Sequence, residues 1–328
     1  YIYVDKTALI YQLVNTNKIY FLSRPRRFGK SLLISTLEAY FLGKKELFNG
    51  LDMEQLEKDW TVYPVLHIDF SGSKYMEAES LRASINVQLL LWENIYGRQE
   101  GEDTFSLRLE GIIRRAYEQT GQRVVILIDE YDKPMLQAIG NEELQKEFRN
   151  TMKAFYSVLK TMDGCIQFAF LTGVTKFGKV SVFSDLNNLD DISMRKQYVD
   201  LCGVSEKELH DNLEIELHEL ADAKELTYGE LCNRLREYYD GYHFTHNSIG
   251  IYNPFSLLNA FKYKEFGSYW FETGTPTYLV KLLKKHHYDL ERMAHEETDA
   301  QVLNSIDSES TNPIPVIYQS GYLTIKGY

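Results

Sequence analysis

Short apolar runs alternate along the first part of the chain with longer stretches in which apolar side chains recur every three or four positions. The runs KIYFLS (18–23), YPVLHIDF (63–70), RVVILIDEYD (123–132) and CIQFAFLTGVTKF (165–177) are bounded by charged residues, Pro or Gly and read as buried strands. Residues 4–15, 29–43, 78–96, 104–119 and 142–162 carry helical spacing, with Asp5 near the first N-cap and Gly43 closing the second helix. Strands alternating with helices predict an α/β fold, a parallel sheet covered by helices on both faces. From about Gly203 the pattern changes. SEKELHDNLEIELHELADAKELTYGELCNRLREYYDGY (205–242) is charged and helical, and shorter helices follow at NPFSLLNAF (253–261) and TPTYLVKLLKK (275–285). Residues 295–315 are polar and Pro-bounded, a loop or weakly helical connection. Two domains are therefore expected, 1–202 and a mostly helical 203–328, with no internal repeat.

Composition narrows the picture. The 328 residues, 44% hydrophobic and 25% charged, suffice for a proper core and exceed one compact unit. A formal net charge of -11 argues against a surface that grips polyanions everywhere, so any nucleic-acid site would be local. Cys165, Cys202 and Cys232 stand far apart with no CxxC pair, which suits neither a disulfide framework nor a zinc site and fits a reducing cytoplasm. No apolar run reaches the roughly 18 residues of a membrane span, and YIYVDKTALI lacks the pattern of a signal peptide. The missing initial methionine and the strand-like ending GYLTIKGY lead us to expect a longer parent protein.

Within FLSRPRRFGKSLL (21–33) lies the candidate chemistry. A bound triphosphate needs converging backbone N–H groups, a helix N-terminus, a lysine charge and a hydroxyl for magnesium. The segment Pro25, Arg26, Arg27, Phe28, Gly29, Lys30, Ser31 and Leu32 supplies most of this. Gly29 permits close backbone approach, Lys30 can span the β and γ phosphates, and Ser31 can ligate Mg2+. Arg24 stands where such loops have their first glycine, whose task is the tight turn rather than phosphate contact. GKS alone also reads as a helix start; the strand that ends in Asp129 and Glu130 gives it context. Asp129 is then the metal carboxylate and Glu130 the group that orients the attacking water of an ATPase. Thr172, at the end of FAFLT, can reach the γ-phosphate or the water, with Thr175 as runner-up; a hydroxyl that merely ends a strand reads equally well. Pro25 restrains Arg24, which is expected to point away from the phosphates toward an acid such as Glu130 or Asp132, or toward the second domain. Arg26 and Arg27 are then the phosphate or interdomain contacts.

Together, YIYVDKT, FLSRPRRFGKSLL, ILIDEYDKP, FLTGVTKF and YNPFSLLNAF resemble the AAA-ATPase-like family of bacterial P-loop proteins, and the loop is similar to the GPRRxGKT form of archaeal-type ATPases in the STAND group. The resemblance runs from the first residue to the last. It implies an ASCE-type P-loop core with a strand between those ending in Ser23 and Asp129, then a helical lid with a winged-helix-like element. It also implies that members often continue into a restriction-nuclease-like domain absent from this chain. FETGTPTYLVKLL resembles the lid element that approaches the nucleotide through Gly274, Thr275 and Pro276, although Pro276 also suits a first helical turn. Arg195, Lys176 and Lys179 are candidates for a cation on the phosphates, against a plain solvated role.

Other features carry less. His210 with His218, and His286 with His287, lack a third ligand at zinc spacing, and KLLKKHH reads as basic charge at a helix end before it reads as a nucleic-acid contact. The expected function is a regulatory ATPase, using ATP and Mg2+ to move the lid against the core and control a fused or bound effector. Alternatives are a nucleotide-binding scaffold with little turnover and a nucleic-acid-associated motor or loader; Glu130 favours turnover and the acidic charge disfavours the motor. Self-association stays open.

Overall fold

The computed structural model describes residues 2–272, 277–286, 297–304 and 312–325. Strands β1 (Ile19–Ser23), β2 (Val65–Asp69), β3 (Val124–Asp129), β4 (Ile166–Gly173) and β5 (Asp190–Asp191) form one parallel sheet in the order β2-β3-β4-β1-β5. β4 lies between the strands that end in Ser23 and Asp129, the arrangement of an ASCE-type core. In-register pairs such as Asp69 with Asp129 and Ser23 with Gly173 bring the strand ends to one edge.

Side chains alternate between the faces with a period of two. Phe21, Ile126, Ile128 and Leu171 enter one core, which the helices Ala78–Tyr96, Phe105–Thr120 and Glu142–Thr161 cover. Tyr20, Leu22, Leu127 and Phe170 enter the other, beneath Thr7–Thr16 and Lys30–Phe41. Both faces are buried, which explains why the strands read as unbroken apolar runs. Asp5, one residue before the N-cap Lys6, accepts from Thr7 N at 2.7 Å, and Thr104 and Asn141 cap the helices that follow them.

Several expectations change. β3 stops at Asp129 because Glu130 turns left-handed (φ 52°). β5 escaped the sequence reading, since a two-residue acidic segment has no strand signature; only pairing with Tyr20 and Phe21 defines it. The charged stretch from 205 forms three helices, Glu206–Asn212, Glu214–Ala223 and Tyr228–Tyr239. A small antiparallel sheet, β6 (Val204–Ser205), β7 (Asp240–Tyr242) and β8 (Ile251–Tyr252), lies within the region read as helical, in the order β6-β8-β7. These elements and the helix Pro254–Tyr263 share a third core around Leu217, Leu231 and Leu257. Within the predicted connection 295–315 a short helix, Ala300–Asn304, forms and another, Ile314–Gln319, begins. Residues 323–325 are irregular rather than a strand. The helix Thr277–His286 contributes Tyr278 and Leu282 to the first core, as Ile314–Gln319 contributes Val316 and Ile317. Among the described residues no helix is long and apolar enough to cross a membrane.

Candidate nucleotide site

β1 delivers the chain into residues 24–29, and the helix Lys30–Phe41 begins directly after them. Arg24 N donates to Gly173 O at 3.1 Å, fastening the root of the loop to β4. The left-handed positions of the loop are Arg27 (φ 64°) and Gly29 (φ 89°); Arg24 is not among them. The position normally held by a glycine therefore demands none here. At Gly29 a β-carbon would meet no atom within 4 Å, so glycine is required by conformation rather than space. Arg27 holds its left-handed backbone at a cost of roughly 1–2 kcal/mol, and its guanidinium stacks 4.8 Å over the Phe255 ring.

At the adjoining sheet edge, Ser31 Oγ donates to Asp129 Oδ2 at 2.7 Å and Thr172 Oγ1 donates to Asp129 Oδ1 at 2.6 Å. Glu130 N donates to the same Oδ1 at 2.9 Å. β1, β3 and β4 thus bring together a hydroxyl, a carboxylate and a second hydroxyl far apart in sequence. Glu130 is half-buried, and its carboxylate has no hydrogen bond or ion pair among the described residues. Its left-handed backbone is a strained feature of the kind that collects at functional sites. Lys30 is buried, with Nζ donating to Arg24 O at 3.0 Å and Pro25 O at 3.1 Å. Burial pushes its ammonium below the usual lysine range, while Asp129, Glu130 and Asp132 oppose the shift.

The three arginines take different surroundings, and only the acidic partner expected for Arg24 is not met. Arg24 does point away from the loop, but its partners are not acids. The fully buried guanidinium donates to Ser23 O (3.0 Å), Ser193 O (2.7 Å) and Tyr198 O (2.9 Å) and lies 4.0 Å over the Phe244 ring. Asp132 is occupied elsewhere, accepting from Val174 N, Thr175 N and Thr175 Oγ1 at 3.2, 2.6 and 2.8 Å. Burial raises its carboxyl to about 6 against these donors. Thr175, the runner-up to Thr172, therefore commits its hydroxyl to Asp132. Arg26 is exposed, without a hydrogen bond or ion pair among the described residues. Phe28 is buried edge-on against Tyr242 (4.9 Å) and Phe244 (5.6 Å), so only its backbone faces the loop's interior. Pro25 is also buried.

The other candidate cations are already paired. Lys176 is buried on Asp191 (2.6 Å) and also meets Asn304, Lys179 bonds the same Asp191, and Arg195 sits exposed on Asp190 at 2.5 Å. Gly274, Thr275, Pro276 and His287 lie outside the described residues, as does the side chain of His286. His210 and His218 belong to separate helices and flank the Tyr228 ring; among the described residues no trio of His, Cys, Asp or Glu gathers in a metal-holding group.

Beside the loop opens an apolar cavity of about 150 Å³, lined by Tyr3, Val4, Gly29, Leu32, Val204 and Leu257 among others. Leu32 is 55% exposed, on the flank of helix Lys30–Phe41. Sequence reading missed this wall because its parts come from the start of the chain, the loop and the region after 202, and each part is an ordinary apolar residue in its own segment.

An ASCE-ordered parallel sheet whose edge carries a GKS loop, an aspartate and a hydroxyl defines a P-loop NTPase-like class of fold. A model of the AAA-ATPase-like family, described as "Predicted AAA-ATPase", matches residues 1–183, and the chain belongs to that family. It is 40% identical over 326 residues, 99% of its length, to the "Uncharacterized protein in vnfD 5'region" of Azotobacter chroococcum mcd 1. The chain spans 61% of that relative's length. No solved structure matches.

Proposed function

We propose that this chain binds ATP with Mg2+ at the loop of residues 24–32 and hydrolyses it, using the cycle to move residues 203–328 against the core 1–202 and so control a fused or bound effector. One observation carries the reading: Ser31 and Thr172 both bond the Asp129 carboxylate, at 2.7 and 2.6 Å, at the mouth of the loop. Mg2+ prefers hard oxygen donors and takes one or two from protein, the rest from phosphate and water, a demand Ser31 and Asp129 fit. When bound, the ion neutralises charge that develops on the phosphates.

The remaining roles follow from chemistry. Loop N–H groups from Arg26 to Leu32 and the start of the helix Lys30–Phe41 face the phosphates, and Lys30 exchanges its two carbonyl partners for β and γ oxygens. Arg26, exposed and without a hydrogen bond or ion pair among the described residues, adds a movable cation. Glu130 orients the attacking water and accepts its proton; Thr172 holds the γ-phosphate or that water. The apolar cavity beside Gly29 and Leu32 suits the flat face of adenine, with Gly274 and Pro276 as the lid's approach to the nucleotide. Three free thiols accord with a cytoplasmic setting.

Calorimetry with Mg–ATP and phosphate release, each with and without DNA, test this. Wild type should bind and turn over ATP without needing DNA. Lys30→Ala should weaken binding about tenfold or more, since a charged donor to phosphate contributes on the order of 1.5–3 kcal/mol. Unchanged affinity would reduce the loop to a helix cap; turnover that appears only with DNA would favour the motor.

A further inference from the structure

The end of β4 and the residues after it are tied down at five successive positions. Thr172 O accepts from Tyr131 N at 2.9 Å and Gly173 O from Arg24 N at 3.1 Å. Val174 N and Thr175 N donate to the Asp132 carboxylate. Gly173 has no spare room, because a β-carbon there would lie 2.6 Å from the Tyr131 ring and 2.7 Å from Asp132 Oδ1. These four ties arise within the sheet edge that holds the nucleotide site. The fifth does not: Lys176 N donates at 2.6 Å to Oε1 of Gln319, 143 residues further along the chain.

Gln319 is committed at both ends, since its Nε2 donates to Leu303 O at 2.7 Å and the residue is 6% exposed. Lys176, only 2% exposed, bonds Asp191 of β5 and Asn304. Burial, with Arg24 adding to it, holds its ammonium near 8 despite Asp191. The same C-terminal segment touches the loop: Gly321 is left-handed (φ 90°), and a β-carbon on it would sit 2.8 Å from Pro25 Cβ. One buried segment thus contacts the root of the phosphate loop and the exit of the strand that carries Thr172. A buried lysine bridging three segments is expensive to desolvate, and the proposed chemistry makes no use of it.

We propose that Gln319 is a positioning residue for hydrolysis: by holding Lys176 N it sets the strand exit that aims Thr172 at the Asp129 site, so turnover requires the docked segment 312–325. The inference rests on the ATPase reading above. Lys30 and Ser31 meet this chain of contacts only through Arg24, Pro25 and Asp129, and neither has a hydrogen bond to residues 172–176 or to Gln319 among the described residues. Its loss should therefore reach kcat and spare affinity, since misplacement of a reacting group by about 1 Å can cost up to a hundredfold in rate.

The test compares Gln319→Leu, which removes both amide bonds, with Gln319→Glu, which keeps an acceptor for Lys176 N, in ATP turnover and Mg–ATP calorimetry. Gln319→Leu should lose about tenfold in kcat with KM changed less than about twofold, and Gln319→Glu should recover most of that loss. Wild-type kcat in Gln319→Leu, or a loss that Gln319→Glu does not recover, overturns the proposal. If Gln319→Leu does not fold, amide exchange of the wild-type chain decides: the Lys176 amide should open together with residues 314–319, and independent opening overturns it. Failure of wild type to bind Mg–ATP would instead sink the ATPase reading.

Discussion

Arg24 offers the sharpest test of how the loop of residues 24–29 is built, because its fully buried guanidinium has no ion pair among the described residues and is held by three backbone carbonyls and the Phe244 ring. Replacing it with Met keeps most of the volume and removes the charge. Three hydrogen bonds from a charged donor contribute on the order of 1.5–3 kcal/mol each, and a desolvated ring contact adds about 2 kcal/mol. Against these, taking the guanidinium out of water costs several kcal/mol. Ser193 O loses its Arg24 donor in the variant, and Tyr198 O keeps a long contact from Leu201 N at 3.4 Å. The balance is a destabilisation of about 3 kcal/mol, which lowers Tm by roughly 6 °C for a chain of this size. Thermal melting followed by Mg–ATP calorimetry on the same preparation reads both quantities. Arg24→Lys should fall between, since an ammonium lacks the planar fork that reaches Ser193 O and Tyr198 O together. Melting at the wild-type temperature with turnover abolished would refute the reasoning and put Arg24 on the nucleotide.

Glu130→Gln should bind Mg–ATP as tightly as wild type yet lose about 10²–10⁴-fold in turnover, the range of a general base, whereas Asp129→Asn should weaken the magnesium dependence of binding; identical behaviour of the two in paired calorimetry and phosphate-release assays would break the assigned division of roles. Burial raises the Asp132 carboxyl to about 6 in the folded chain from 3.8, so the folded state holds the extra proton, and this group's contribution to stability is fully present below pH 3.8 and lost as pH rises through about 6. The gap corresponds to roughly 3 kcal/mol, and denaturant melts from pH 4 to 7 should show that slope flattened in Asp132→Asn; an unchanged slope would assign it to other groups.

Much of the core was legible because its signals are local. The apolar runs of β1 to β4 are buried on both faces, so no polar alternation confuses them, and helices such as Ala78–Tyr96 announce themselves by spacing. GKS followed by a strand ending in Asp129 brought Ser31 and Asp129 to one place, since a parallel sheet sends every strand end to one edge. Segments whose identity depends on what they touch stayed hidden. β5 and the small antiparallel sheet exist through hydrogen bonds to distant strands, and their two or three residues carry no period. Pro25 turns Arg24 away from the loop in the sequence, but its partners are legible only once the carbonyls of Ser193 and Tyr198 and the Phe244 ring close over it, while Arg27 finds Phe255 and Arg26 stays in solvent. Lys176 reads as a cation for phosphate until Gln319, Asn304 and Asp191 bury it. Composition and periodicity determine which residues must leave water and in what local shape; the carbonyls that hold Arg24, and the amides of Asn304 and Gln319 that close over Lys176, are decided only when segments more than a hundred residues apart meet in the same desolvated space.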